Sequence, residues 1–290
     1  MAGKIKVMSI FGTRPEAIKM APVVRQLMGH TDEIETRTLV TAQHREMLDQ
    51  VLHLFRIVPD YDLNIMAAGQ TLFDITSRAM HGINEVFQKE RPDLVLVHGD
   101  TTTTFAGALA AYYHQIPVGH VEAGLRTHDI YSPFPEEMNR RLTGGIATLH
   151  FAPTPTAHAN LLAEGIPEAH IFVTGNTVID ALHHTVRPDY VLPAELGGVD
   201  FENHRVLLVT THRRENLGEP MRHVYRAIRD IIEELDDVEV IFPVHRNPKV
   251  REIVREELGG LARVHLIDPL DYEPFANLMA RVDIVLTDSG

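Results

Sequence analysis

Short apolar runs alternate with longer, mixed segments along most of this chain. The run from Leu94 to Val97 is rich in β-branched residues and is followed by Gly99 and four threonines. Such a run is typical of a strand buried on both faces of a parallel sheet. By the same criterion we predict strands at 4–11, 34–41, 94–97, 117–121, near 151, and at 170–174, 205–211, 238–243, 263–267 and 283–287.

Helix signals fill the segments between these strands. Thr13 and Glu16 have the spacing of a capping box, and Pro15 suits a first helical turn. Further helices are predicted at 71–90, after Asp100, after Pro135, and near 220–235, 248–258 and 274–280. The alternation predicts an α/β protein with two doubly wound parallel sheets whose carboxyl ends face a cleft. We expect domains at 1–174 and 205–290, joined by a loop-rich hinge at 175–204.

Composition narrows the possible functions. The chain has 290 residues, of which 44% are hydrophobic, and it has no cysteine, which excludes disulfides and thiolate chemistry. A net charge of −13 without a basic block argues against a nucleic-acid partner. No apolar run approaches the ~20 residues of a membrane span. The first residues lead directly into a strand and leave no room for a signal peptide, so we expect a cytoplasmic protein.

Three ionisable residues follow predicted strands directly. They are Asp100, Glu122 and His212. Since ligands of open α/β sheets bind at the carboxyl ends of the strands, these positions predict a catalytic cleft. The alternative for Asp100 is that it only caps the following helix, although Thr101 or Thr102 could also do so.

A metal site competes with this interpretation. His98 and Asp100 are two residues apart on one strand edge, and His120 and Glu122 repeat the spacing on another. Period two places each pair on one side, so the four groups could converge on a metal. The alternative is that such residues pack against neighbouring helices.

Two cations and two acids stand at predicted helix starts. Arg14 and Lys19 oppose the dipole of their helix, which suggests that they hold a phosphate near its free N–H groups; otherwise they are simply solvated. Glu136 and Glu137 follow Pro135, where acids commonly just complement the dipole. No G-x-G-x-x-G fingerprint for a dinucleotide occurs.

Seven motifs together resemble the non-hydrolysing UDP-N-acetylglucosamine 2-epimerases of bacteria. The resemblance runs from the first strand to the last residue. The motifs are Phe11-Gly-Thr-Arg-Pro-Glu-Ala-Ile-Lys19, Thr41-Ala-Gln-His44, His98-Gly-Asp-Thr-Thr-Thr-Thr104, His120-Val-Glu-Ala-Gly-Leu-Arg126, Ser132-Pro-Phe-Pro-Glu-Glu137, Thr211-His-Arg-Arg-Glu-Asn216 and Leu286-Thr-Asp-Ser-Gly290.

The resemblance implies a B-type glycosyltransferase fold and interconversion of UDP-N-acetylglucosamine with UDP-N-acetylmannosamine for surface polysaccharides. UDP is eliminated across C1 and C2 and added back after proton delivery to the other face, with neither metal nor cofactor. A cytoplasmic homodimer with UDP-N-acetylglucosamine and UDP as its ligands is expected. The matching positions are Asp100, Glu122 and Glu136 as acid/base carboxylates, His212 assisting the diphosphate, Arg14 and Lys19 as substrate contacts, and Phe275, Ser289 and Gly290 at the nucleotide.

The chain departs from the family pattern in two respects. Family members continue past Gly290 with another glycine, Gln-Glu-Glu and further elements, so the resemblance implies that the end of the second domain is missing and that UDP binding is weakened. Many bacterial members also bind a second, activating nucleotide sugar, and parts of that site match Gln43, His44, Gln70 and His245. Here Gly69 replaces an arginine and Glu46 a glutamine, changes that should weaken a diphosphate site.

Three other functions stay open at this point. One is a nucleotide-sugar glycosyltransferase of the same fold, because a fold does not fix a function. Another is a hydrolysing epimerase that releases N-acetylmannosamine and UDP. The third is a nucleotide-sugar binding module without turnover.

Overall fold

The computed structural model describes residues 3–42, 45–211, 213 and 216–288. The chain divides into two compact units, Met1–His183 and His184–Gly290. The division lies inside the segment 175–204 for which a hinge was predicted. That segment contains a helix from Thr177 to Thr185 and a short 3-10 helix from Ala194 to Leu196. The hinge itself stays a prediction.

The first unit is built on a parallel sheet with the strand order β3-β2-β1-β4-β5-β6-β7. This order is doubly wound, because the chain moves outward from β1 in one direction and then returns to continue on the other side. The strands are β1 (Ile5–Phe11), β2 (Ile34–Val40), β3 (Tyr61–Asp62), β4 (Leu94–His98), β5 (Val118–Val121), β6 (Leu149–Ala152) and β7 (Ile171–Val173).

Helices follow these strands, and threonine side chains cap several of them. Thr71 caps α3 by accepting a hydrogen bond from the Asp74 N–H, and Thr101 caps α4 in the same way from the Thr104 N–H. The helices are α1 (Arg14–Gly29), α2 (Arg45–Leu54), α3 (Leu72–Glu90), α4 (Thr102–Tyr113), α5 (Glu136–Ile146), α6 (Pro155–Ala163) and α7 (Thr177–Thr185).

The core of the first unit explains why β4 and α4 are the central elements. Val95 and Val97 of β4 are fully buried and pack with Ala106 and Ala110 of α4. The small residues of α4 allow it to lie close to the sheet: a Cβ added at Gly107 would come within 3.1 Å of Val97. The N-terminus of α4 is thereby fixed beside the carboxyl end of β4.

The second unit has a smaller parallel sheet with the order β10-β9-β8-β11. Tyr225 and Phe242 pack edge to face in its core. Its strands are β8 (Arg205–Thr210), β9 (Val238–Pro243), β10 (Val264–Ile267) and β11 (Ile284–Thr287), and its helices are α8 (Glu219–Glu234), α9 (Pro248–Leu258) and α10 (Tyr272–Met279). No helix in the described part of the chain is long and apolar enough to span a membrane.

Candidate active site

Asp100 lies directly after β4, as predicted, and a guanidinium holds its carboxylate. Arg140 of α5 approaches Asp100 Oδ2 through Nε at 2.9 Å and through Nη2 at 2.7 Å. Asn139 also donates to the Asp100 carbonyl oxygen at 2.9 Å. The helix cap is Thr101, so the alternative that Asp100 only caps α4 is wrong.

Adjacent acids at the start of α5 have different environments. Glu137 is fully buried and accepts hydrogen bonds from the Thr127 N–H at 3.1 Å and from Arg140 Nη1 at 3.0 Å. It therefore does more than complement the helix dipole. Glu136 is half-buried and stands four residues before Arg140, on the same helix face. Its carboxylate receives no hydrogen bond from the described residues.

Glu122 follows β5 and is buried, with a left-handed backbone at φ 62°. Its Oε2 accepts from Lys19 Nζ at 2.6 Å and from Asn176 Nδ2 at 2.9 Å. Lys19 is therefore not simply solvated, although a quarter of its side chain is exposed. Oε1 accepts no hydrogen bond within the described ranges, which leaves that oxygen for a ligand.

The N-terminus of α1 does not present all its amides to an anion. The N–H groups of Gly12 and Thr13 donate to Glu16 Oε2 at 3.0 and 2.8 Å. The bond from the Thr13 N–H is the one that the predicted capping box implies, and the binding of a phosphate near this helix start stays a prediction. An anion here would be held mainly by cationic side chains, of which Arg14, the first residue of α1, is half-buried.

Glu16 also connects two loops of the site. Its Oε1 accepts from Thr101 Oγ1 at 2.7 Å, so one carboxylate links the loop after β1 to the loop after β4. Burial raises the pKa of Glu16, while the hydrogen bonds that it accepts from Thr101 and Thr13 oppose this rise. The sequence assigned Glu16 only to the capping box.

The two histidines proposed as metal ligands, His98 and His120, differ in their contacts. His120 Nε2 donates to the Gly99 carbonyl at 2.7 Å. The distance from His98 Nε2 to Glu122 Oε2 is 3.7 Å. Burial lowers the pKa of each ring to about 3, so both rings are neutral. Across the described ranges no three His, Asp or Glu side chains are grouped so that they could hold a metal ion.

Two of the quoted motifs meet in the second unit. Asp288 follows β11, and its Oδ2 accepts from the Arg213 N–H at 3.0 Å and from Asn216 Nδ2 at 3.1 Å. These bonds join Arg213 and Asn216, which both follow position 212, to the end of β11. His212 itself, like Ser289 and Gly290, lies outside the described residues, so the predictions for these three stay untested.

Thr211, which precedes position 212, is buried and contacts a tyrosine in the core of the second unit. Its hydroxyl lies 2.9 Å from the Tyr225 hydroxyl, and burial raises the pKa of Tyr225 to about 12. Phe275 lies on α10 and packs, partly buried, against a cluster that includes Leu208 and Ile241. Its predicted contact with a nucleotide stays a prediction.

The predicted second ligand site divides between the two units. Gln70 precedes α3, and its side-chain oxygen accepts from the Ala67 N–H at 3.1 Å. His245 follows β9, and its Nδ1 accepts from the Asn247 N–H. Gly69 has φ 69° with open space around its Cβ position. Gln43, His44 and the side chain of Glu46 lie outside the described residues, so this site stays a prediction.

Three positioning residues were not identified from the sequence. They are Arg140, Asn176 and Asp288. Asn176 and Asp288 each come within three residues of the end of a strand, so the rule that found Asp100 and Glu122 would also have found them. Arg140 could have been found from its spacing of four to Glu136 on one helix.

Comparison with known proteins identifies the family. The sequence profile described as UDP-N-acetylglucosamine 2-epimerase matches residues 26–290. The UDP-N-acetylglucosamine 2-epimerase of Bacillus subtilis is 58% identical over 288 residues, covering 99% of this chain and 74% of the relative. The chain belongs to the UDP-N-acetylglucosamine 2-epimerase family. It spans about three quarters of the length of this relative.

Solved structures agree with this family assignment. The UDP-GlcNAc 2-epimerase from Neisseria meningitidis, bound to UDP-GlcNAc, has a TM-score of 0.85 at 48% identity. The match covers 99% of this chain and 78% of the Neisseria chain. The S. aureus MnaA structure with UDP has a TM-score of 0.84 at 51% identity, covering 99% and 75%. The predicted fold class, two Rossmann-like domains of the B-type glycosyltransferase fold, is confirmed for this epimerase-family chain.

Proposed function

We propose that this chain interconverts UDP-N-acetylglucosamine and UDP-N-acetylmannosamine without net hydrolysis. The observation that carries the proposal is the pair of carboxylates at the ends of the neighbouring parallel strands β4 and β5. Asp100 is held by Arg140 and Glu122 by Lys19. Two of the similar proteins named above are UDP-N-acetylglucosamine 2-epimerases, and one of these is bound to UDP-GlcNAc.

The proposed reaction moves one proton and one leaving group. A carboxylate removes the proton from C2 while the bond from C1 to the diphosphate oxygen breaks, which gives UDP and an unsaturated sugar. A carboxylic acid then delivers a proton to the opposite face of C2, and the UDP oxygen forms the new bond to C1. Atoms and charge balance without a redox cofactor.

Each part of the reaction has a matching group in the first unit. Acid/base transfer needs carboxylates that are fixed in position yet keep an oxygen for the ligand. Glu122 meets this condition, because Lys19 and Asn176 hold Oε2 while Oε1 is left for the ligand. Asp100 is fixed by Arg140, and Glu136 keeps a carboxylate that the described residues do not engage. Lys19 and Arg14 supply positive charge for the departing diphosphate.

The second unit supplies the nucleotide side of the proposal. Asp288 fixes the loop that carries His212, to which we assign assistance to the diphosphate. We assign the nucleoside contact to Phe275 and to Ser289 and Gly290. We further propose that the enzyme acts as a cytoplasmic homodimer and supplies surface polysaccharide synthesis.

Product analysis tests the proposal against its alternatives. The purified chain is incubated with UDP-N-acetylglucosamine in EDTA, and nucleotide sugars, free sugars and UDP are separated by chromatography. We expect UDP-N-acetylmannosamine in equilibrium with substrate. Free N-acetylmannosamine with an equal amount of UDP would instead show a hydrolysing epimerase. UDP release only when an acceptor sugar is added would show a glycosyltransferase, and unchanged substrate a binding module.

A further inference from the structure

His98 is a buried imidazole that forms no hydrogen bond with the part of the chain that the structure describes. It ends β4, is 3% exposed, and neither ring nitrogen has a partner among the described residues. Buried polar atoms are almost always satisfied, so an exception calls for an explanation. The ionisable groups near it include Lys19, Asp100, Glu122 and His120.

Glu122 lies just beyond hydrogen-bond reach of this ring. The distance from His98 Nε2 to Glu122 Oε2 is 3.7 Å, whereas an N–H···O bond is about 2.9 Å long. A carboxylate shift of roughly 1 Å would therefore close the gap. In the structure it is Lys19 that bonds to this oxygen: the distance from Lys19 Nζ to Glu122 Oε2 is 2.6 Å.

The three side chains around Glu122 Oε2, which are Lys19, Asn176 and His98, differ in how easily they can move away. Lys19 carries its ammonium on a long, flexible stem that is 24% exposed. His98 is part of a buried strand, and the side-chain oxygen of Asn176 accepts a hydrogen bond from the Val178 N–H. An anionic ligand would thus draw away Lys19 and leave the other two in place.

We propose that His98 is a positioning residue that takes over Glu122 Oε2 when Lys19 turns to the diphosphate of the ligand. This inference rests on the proposed function, because it needs an anion that engages Lys19. In the empty site Lys19 and Asn176 hold the carboxylate. In the occupied site the His98 N–H replaces the ammonium, so Glu122 stays oriented while Lys19 supports the departing group.

The neutral state of His98 suits this exchange. A neutral ring carries a single N–H, and the tautomer with the proton on Nε2 directs it at Glu122. A charged partner would hold the carboxylate as an ion pair and make it a poorer proton acceptor. A neutral donor fixes its direction with less effect on its charge.

Two isosteric substitutions separate this role from simple packing. In His98→Gln the amide nitrogen lies near the former Nε2 position and keeps the donor. In His98→Asn it lies near the former Nδ1 position and is too short to reach Glu122. We expect UDP affinity, measured by calorimetry, to fall roughly tenfold in His98→Asn and to stay near wild type in His98→Gln. The kcat for epimerisation should follow the same order.

A double-mutant cycle makes the test specific. In a Glu122→Gln background no carboxylate needs the donor, so His98→Asn should leave UDP affinity unchanged. His150, equally buried on β6, is the matched control: His150→Asn should not weaken UDP binding. Equal affinities for the two His98 variants, or the same tenfold loss in the Glu122→Gln background, would overturn the inference.

A spectroscopic measurement gives a second, activity-free result. The ring N–H signal of His98, assigned by its loss in His98→Gln, should move downfield when UDP is added to the wild-type chain. A signal that ignores saturating UDP would also overturn the inference. If the wild-type chain does not bind UDP at all, the proposed function fails first, and the two failures are thus distinguishable.

Discussion

Arg140 bonds to two acids from different parts of the chain: its Nη2 lies 2.7 Å from Asp100 Oδ2, and its Nη1 lies 3.0 Å from Glu137 Oε2. Glu137 is fully buried and belongs to the same helix, whereas Asp100 lies 40 residues earlier, in the loop that follows β4. One guanidinium thus fixes both the direction of a candidate catalytic carboxylate and the start of the helix that carries Glu136.

Removing this guanidinium should cost both stability and turnover. In Arg140→Ala, Glu137 keeps only backbone donors among the described residues, and Asp100 loses the guanidinium that contacts its Oδ2 through two nitrogens. We expect the free energy of unfolding, measured in urea, to fall by about 3 kcal/mol, together with a lower kcat. Arg140→Lys keeps the charge but not the fork, and should lie between. As a control, replacing the adjacent, exposed Arg141 by alanine should leave stability and kcat at wild-type values. Wild-type stability in Arg140→Ala would contradict this role of Arg140.

Neutralising the strand-end carboxylates should affect turnover rather than folding. Asp100→Asn and Glu122→Gln keep shape but remove the groups that exchange protons. We expect kcat to fall by ~10²–10⁴-fold with little change in substrate affinity. Glu85→Gln, on the exposed face of α3, should have wild-type rates. A variant of Asp100 or Glu122 with near-normal kcat does not support acid/base catalysis by that residue.

Asp288 should matter because it fixes the loop around position 212. Asp288→Ala removes the acceptor of the Arg213 N–H and of the Asn216 amide. We expect a loss of roughly tenfold in UDP affinity with the second unit still folded, as judged by circular dichroism. Asp288→Asn keeps an acceptor oxygen and should lose less. Glu233→Ala, exposed on α8, serves as the control, and unchanged UDP affinity in Asp288→Ala would refute the assignment.

Two buried histidines should make the free energy of unfolding sensitive to acid. The ordinary pKa of histidine is 6.5, and burial lowers it to about 3 for His98 and His120. The unfolded chain therefore binds these protons first. Their contribution to stability is complete above pH 6.5 and is lost as the pH falls toward 3. Each ring should add a slope of about 1.4 kcal/mol per pH unit to the free energy of unfolding.

Urea unfolding between pH 7 and 5 measures this slope. His120→Gln keeps a donor for the Gly99 carbonyl but does not titrate. The pH slope of its free energy of unfolding should therefore be smaller than that of the wild type by about 1.4 kcal/mol per pH unit, the value for one proton. His183→Gln, whose ring is exposed in the folded chain, should retain the wild-type slope. A wild-type slope in His120→Gln would mean that His120 is not held neutral.

Much of the scaffold was predictable because local rules decide it. The apolar runs located the described strands except the two-residue β3, and the helix signals missed α7, which lies in the segment predicted to be loop-rich. Asp100 and Glu122 indeed follow strand ends. Period and dipole alone could not decide which of Glu136 and Glu137 is buried, since this depends on Arg140 and on the loop at Thr127. The capping-box spacing predicted the hydrogen bond from the Thr13 N–H to Glu16, but no local rule predicted the bond from the Gly12 N–H.

Pairings between distant segments were beyond the sequence rules. Lys19 and Glu122 are 103 residues apart, and no local pattern links a residue in the second turn of one helix to the end of a particular strand. Thr101 and Glu16 are joined in the same way across 85 residues. Such contacts follow from strand order, which places β1, β4 and β5 side by side.

Solvent exchange at C2 is the most direct test of the central claim that the carboxylates move a proton at that carbon. UDP-N-acetylglucosamine is incubated with the enzyme in deuterated water, and the recovered nucleotide sugars are analysed by NMR and mass spectrometry. We predict one deuterium at C2 in the UDP-N-acetylmannosamine formed, and its accumulation in recovered UDP-N-acetylglucosamine at equilibrium. Epimerisation with protium retained at C2 would contradict the account, and so would recovered substrate that carries no deuterium after prolonged incubation.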